Sequence, residues 1–135
     1  MTEGPGEHSR SQCLCESFAR VTERSAMAGA RWLGRADKEA AEEAAFSGAR
    51  LALEQMPVSG HVVIGAHEDA EQLATGSSIG AGGEEYDLAL DPLEGRAVVA
   101  RGGTNAVSMI AASAPGIPAI EYTSETCPSC RMQTR

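Results

Sequence analysis

No lysine or arginine occurs between Leu51 and Gly95, although nine aspartate and glutamate residues fall in that stretch, and the whole chain carries a formal charge of −8. Such a surface attracts neither a phosphate backbone nor an acidic headgroup, so nucleic acid and anionic membranes are not expected partners. A divalent cation is one it would attract. Long apolar runs are also missing: no segment approaches the ~18 residues that a membrane-spanning helix needs. Aromatic residues make up only 4% of the 135 residues, which leaves Ala, Val, Leu and Ile to build the core. A chain of this length can bury one such core and is too short for two ordinary domains.

The opening residues, MTEGPGEHSRSQ, contain neither the basic nor the apolar region of a secretory signal, and a cytoplasmic protein is expected. Their polarity and their Gly-Pro-Gly make residues 1–12 an expected disordered tail. Four cysteines fall in two pairs, Cys13 with Cys15 and Cys127 with Cys130. In a reducing compartment these are expected as free thiols or metal thiolates, not structural disulfides. The C-x-C and C-x-x-C pairs together could make a four-thiolate Zn²⁺ site. The tight C-x-C spacing favours ordinary tail thiols instead.

Apolar periodicity predicts two helices. Phe18, Val21, Ala28 and Trp32 share one face, with Gly34 as the expected C-terminal cap. Asp37 suits an N-cap for a second helix over about residues 38–56, whose apolar face holds Phe46, Ala49, Leu53 and Met56. Glu42 lies four residues before Phe46 and shares that face, so it is expected to point inward and to need a partner. His61–Gly65 reads as a buried strand, and Tyr86–Asp91 as a strand with two distinct faces. Residues 105–114 suit a third strand, the glycine-rich stretch from Ala66 to Glu85 a long loop, and 115–135 a C-terminal tail.

The chemistry concentrates in YDLALDPLEGRAVVA, Tyr86–Ala100. Two carboxylates, Asp91 and Glu94, stand three residues apart at a strand end. Close together and both ionised they repel, and Mg²⁺ or Mn²⁺ relieves that repulsion because hard cations take oxygen ligands and keep waters that can attack a phosphate. Pro92 stiffens the intervening turn, and Gly95 lets a phosphate approach the backbone. Arg96 follows. Its guanidinium either pairs with the carboxylates, in place of a metal, or binds a substrate phosphate.

Plainer readings stand beside each of these. An acidic turn at a strand end can simply be solvated, and a first-turn glutamate such as Glu42 is favoured by the helix dipole alone. His67, Glu68 and Asp69 form a ligand-rich trio that more often is a solvated loop. The glycines at 80, 82 and 83 match no nucleotide-binding fingerprint and read as turns. No nucleophile of the Ser or Cys type stands out, so the catalytic residues are left unassigned.

The block Asp-Pro-Leu-Glu-Gly resembles the metal motif of the lithium-sensitive sugar-phosphatase superfamily. Its wider context, RVTERSAMAGARWLGRADKEAAEEAA, HVVIGAHED and NAVSMIA, is similar to the bacterial class II fructose-1,6-bisphosphatases of the GlpX type. The resemblance runs from about Phe18 to Ala114 and corresponds to the opening third of a full-length member. It implies an α/β fold, a partial layered sugar-phosphatase fold with two N-terminal helices packed on a small sheet, over a truncated domain spanning residues 13–114.

The same resemblance implies an activity, metal-dependent hydrolysis of a sugar bisphosphate with Mg²⁺ or Mn²⁺ as cofactor. Asp91 and Glu94 match the family's metal ligands outright, and Glu42 stands where the family has an Asp. Ala66 replaces a family Glu, for which Glu68 or His67 would substitute. Arg96 replaces the family's Thr. These departures imply a chain impaired or inactive alone. The alternative is a noncatalytic protein that binds a partner and presents its cysteine-containing tail. A partial fold of this kind leaves apolar surface and sheet edges open, so a homo-oligomer or a covering protein partner is expected.

Overall fold

A computed structural model describes residues 13–66 and 71–116. The expected N-terminal tail lies outside the described residues, as do His67, Glu68, Asp69, Cys127 and Cys130 and all of the C-terminal tail beyond Gly116. The fold is α/β. Helices α1 (Leu14–Ala30) and α2 (Lys38–Glu54) lead into strands β1 (Val58–Ile64), β2 (Ser78–Ile79) and β3 (Glu84–Glu94); a short helix α3 (Arg96–Ala100) precedes strand β4 (Val107–Ser113). The strands form one mixed sheet in the order β2-β1-β3-β4, with β1 and β3 parallel and both outer pairs antiparallel.

Both long helices pack on the same face of the sheet. Val21 of α1 and Ala49, Leu53 and Met56 around α2 meet Val58 and Val62 of β1 and Leu88 and Leu90 of β3. Ile110 and Ala112 of β4 pack against this cluster, so the alternate residues Val107 and Met109 point to the opposite, exposed face. With few aromatics available, small residues bring the helices close. Gly48 lies so near α1 that a Cβ there would stand 2.7 Å from the Arg24 carbonyl oxygen. Buried Ser25 donates from Oγ to the Ala45 carbonyl at 2.8 Å and ties α1 to α2.

The helix ends differ from the expected ones in instructive ways. Asp37 caps α2 as predicted, its carboxylate accepting from Ala40 N–H at 2.9 Å. Helix α1 stops at Ala30, before Gly34, because the following turn docks on α3: Gly34 N–H donates to Val99 O at 2.8 Å and Ala36 N–H to Ala100 O at 2.9 Å. Within the expected loop 66–85 the chain forms the two-residue strand β2 and an isolated bridge between Ala66 and Ala74. Helix α3 was not expected, since five residues are too few to display a 3.6-residue period. Among the described residues no helix is long and apolar enough to cross a membrane.

Candidate metal centre

In a regular strand, residues three apart point to opposite faces, which would separate Asp91 from Glu94. The ladder with β4 prevents that. Asp91 pairs with Met109 and Glu94 with Val107, so three steps along β3 match two along β4, the signature of a one-residue bulge. Pro92, which has no N–H to lose, occupies the bulge in a fully buried position. Leu93 beside it plugs a small second core of Ala41, Ala45 and Val99. The expected turn between the two carboxylates is therefore a bulged strand end, anchored by the apolar residues inside the motif.

The bulge returns Glu94 to the side of Asp91. The Glu94 carboxyl lies within hydrogen-bonding reach of Asp91, and its pKa is raised above the ordinary value, first by that hydrogen bond, then by repulsion from the Asp91 charge. Asp91 is oriented by its own backbone: Leu93 N–H donates to Oδ1 at 3.2 Å. Two carboxylates this close mark a place where a hard cation could stand.

Gly95 then turns the chain with φ +99°, a conformation that side-chain-bearing residues rarely adopt, and a Cβ there would touch Ala106 at 3.4 Å. This turn projects Arg96, whose Nη1 donates to Glu42 Oε2 in an ion pair. The two side chains remain 45% and 36% exposed, so the pair is a modest one. Glu42 does not enter the core as its position on the apolar face suggested. It stands half-buried at the rim, lining a groove of about 360 Å³ with Phe46, Ala66, Glu71 and Gln72.

The structure thus divides the predicted residues into two groups. Asp91 and Glu94 meet each other, while Glu42 meets Arg96. Among the described residues no group of three His, Cys, Asp or Glu side chains gathers closely enough to hold a metal ion. Ala66, where the resemblance calls for a Glu, lines the same groove as Glu42. Glu71 lines it too, a carboxylate that sequence reasoning passed over because nothing but its place in an acidic loop marked it. Cys13 is a free, half-buried thiol, whereas Cys15 is disulfide-bonded, at variance with the expectation of free thiols or thiolates.

The chemistry of the donor set fits a cation. Mg²⁺ commonly uses only one or two protein carboxylates and fills its remaining positions with water and substrate oxygens. Asp91 and Glu94 supply such a pair on an open strand end.

Comparison with known proteins agrees with the motif. Residues 12–119 match a family described as bacterial fructose-1,6-bisphosphatase, glpX-encoded. Over 106 residues the chain is 42% identical to Fructose-1,6-bisphosphatase 1 class 2 of Escherichia coli (strain K12), covering 76% of this chain and 32% of that protein. Fructose-1,6-bisphosphatase class 2 of Shigella flexneri shows the same identity and coverage. The namesake from Haemophilus influenzae is 40% identical over 104 residues, which cover 75% of this chain and 31% of the relative. The chain spans about a third of the length of these relatives. It belongs to the bacterial, glpX-encoded class 2 fructose-1,6-bisphosphatase family.

Proposed function

We propose that this chain carries the carboxylate part of a divalent-cation site, for Mg²⁺ or Mn²⁺, that serves a sugar bisphosphate, and that Arg96 keeps phosphate hydrolysis by the chain alone weak or absent. The observation that carries the reading is the bulge at Pro92, which sets Asp91 and Glu94 side by side in a member of a fructose-1,6-bisphosphatase family. Asp91, already fixed by Leu93 N–H, and Glu94 would hold the ion. Such an ion, when bound, neutralises phosphate charge and readies a water for attack. The chain's own contribution is to hold the two carboxyls side by side, aimed at one point, with Asp91 fixed by Leu93 N–H.

Arg96 and Glu42 set the limit. While their ion pair persists, Glu42 is unavailable as a third oxygen ligand, and the guanidinium places a positive charge beside the turn that follows Glu94. A phosphate arriving at this strand end competes with Glu42 for Arg96, since guanidinium binds both groups with the same fork geometry. Ala66 adds no ligand, and Glu71 in the same groove is the carboxylate placed to compensate.

Release of inorganic phosphate from fructose 1,6-bisphosphate tests the reading. The expected result is slow release that requires Mn²⁺ and disappears in Asp91→Asn, or no release together with Mn²⁺ binding that Asp91→Asn abolishes. Release indifferent to Mn²⁺ and to Asp91→Asn would refute it. The Arg96–Glu42 pair also favours a second reading, a noncatalytic protein that binds a partner through its helices, where Met27 and Leu51 are exposed at 71% and 45%. Phosphate release at rates typical of an enzyme would exclude that one.

A further inference from the structure

The proposed cation site uses none of the four cysteines, and two of them meet at the start of α1. Cys13, the N-cap of the helix, is a free, half-buried thiol. Cys15, in the first turn, is disulfide-bonded. Although only one residue lies between them, they are not each other's partners, which agrees with helix geometry: residues two apart do not face each other.

We propose that Cys15 is joined to Cys127 or Cys130, and that this bond is a thiol–disulfide exchange site that tethers the C-terminal segment to α1 or releases it. Elimination identifies the partner. In a chain with four cysteines, a free Cys13 leaves Cys15 only those two. The fold also brings the two regions within reach. Leu14 and Phe18 of α1 pack on the core beside Tyr86 and Ala112, and the Phe18 and Tyr86 rings meet edge to face at 6.0 Å. Asp87, the residue after Tyr86, pairs with Ser113, and its Oδ2 accepts from Gly116 N–H at 2.8 Å. Gly116 therefore stands at the end of the sheet where α1 begins. A chain from 117 to 127 reaches up to roughly 36 Å when extended, about three times the width of a helix, ~10–12 Å.

The second cysteine of the C-x-x-C pair makes the bond exchangeable. Its thiolate attacks the Sγ of the tail cysteine that is bonded to Cys15. The Cys127–Cys130 disulfide forms, the bond to Cys15 breaks, and Cys15 leaves as a thiolate that takes up the proton given up by the attacking thiol. One disulfide stands before and after, so no oxidant or reductant is consumed. C-x-x-C is the spacing of redox dithiols and suits this ring closure. Cys13 has no equivalent route: its attack on the tail sulfur would move the tether by two residues and leave the tail on α1. The exchange involves neither Asp91 nor Glu94 and is independent of the proposed cation site.

Thiol trapping on the full chain tests the proposal. Protein equilibrated in a glutathione redox buffer is quenched with N-ethylmaleimide and digested without reductant, and the linked peptides are identified by mass spectrometry. The wild type is expected to yield two forms, both with Cys13 alkylated. In one, Cys15 is linked to a tail cysteine; in the other, Cys127 is linked to Cys130 and Cys15 is alkylated. Replacing the tail cysteine that does not bond Cys15, by Cys127→Ser or Cys130→Ser, should abolish the second form and keep the first. Cys13→Ser should keep both. Cys15 linked to Cys13, Cys15 never linked to the tail, a tethered fraction that is the same with and without the second tail cysteine, or loss of either form in Cys13→Ser would each overturn the proposal.

Discussion

Replacing Arg96 by Thr, the residue found at this place in the family the sequence resembles, removes one side of the Arg96–Glu42 ion pair. Two effects follow, of different size. Because both groups are more than a third exposed, the pair contributes roughly 0.2–1 kcal/mol to stability after solvent screening. For a domain of this size each kcal/mol moves the melting temperature by about 4–8 °C, so Arg96→Thr should melt lower by about 1–8 °C. The effect on cation binding should be larger. A unit charge at contact distance in water is worth about 1 kcal/mol, and a divalent ion feels about twice that. Removing the guanidinium and freeing the Glu42 oxygens should therefore tighten Mn²⁺ binding by roughly 5- to 30-fold. Isothermal titration calorimetry with Mn²⁺, on wild type and Arg96→Thr side by side, reads this directly. Unchanged or weaker binding in Arg96→Thr would refute the view that Arg96 withholds a ligand from the site.

Four further predictions concern the scaffold and the carboxylate pair. Gly48→Ala should destabilise by about 1–3 kcal/mol, because its Cβ would stand 2.7 Å from the Arg24 carbonyl oxygen, while Gly29→Ala should stabilise by about 0.5–1 kcal/mol, since the new Cβ meets Ala45 and Leu93 at 3.6 Å in ordinary contact; urea unfolding measures both. Ser25→Ala should cost about 0.5–1.5 kcal/mol in the same assay through loss of its buried hydrogen bond to Ala45. Without metal, Glu94 holds its proton more tightly in the folded than in the unfolded state, so its contribution to stability is complete below the ordinary value of 4.5 and is lost as pH rises through its raised folded value. Asp91→Asn removes that loss, and thermal melts of the two proteins across this window should converge at low pH and separate above it.

Much of this architecture was legible in the residues. Apolar spacing located α1 and α2, and Asp37 marked the start of α2 because a capping carboxylate has a local cause. Alternation over Tyr86–Asp91 located β3, and the apolar stretch 105–114 was legible as a strand. The limits had physical reasons as well. Glu42 shares the helix face of Phe46, and periodicity alone could not reveal that α3 would bring Arg96 to it from 54 residues away and hold it at the rim. Likewise the spacing of Asp91 and Glu94 suggested a turn, whereas the bulge depends on register with β4, a property of two strands rather than one. Glu71 shares a groove with Glu42 only because residues 71 and 72 lie against α2, where Arg50 Nε donates to Gln72 Oε1 at 3.3 Å, a contact 22 residues apart in sequence.

The most direct test of the central claim is anomalous diffraction from crystals of this chain grown with Mn²⁺. The account predicts a single strong peak bridged by the carboxylates of Asp91 and Glu94 and absent from crystals of Asp91→Asn. An empty strand end with those two side chains turned apart, or Mn²⁺ bound elsewhere on the chain, would contradict it.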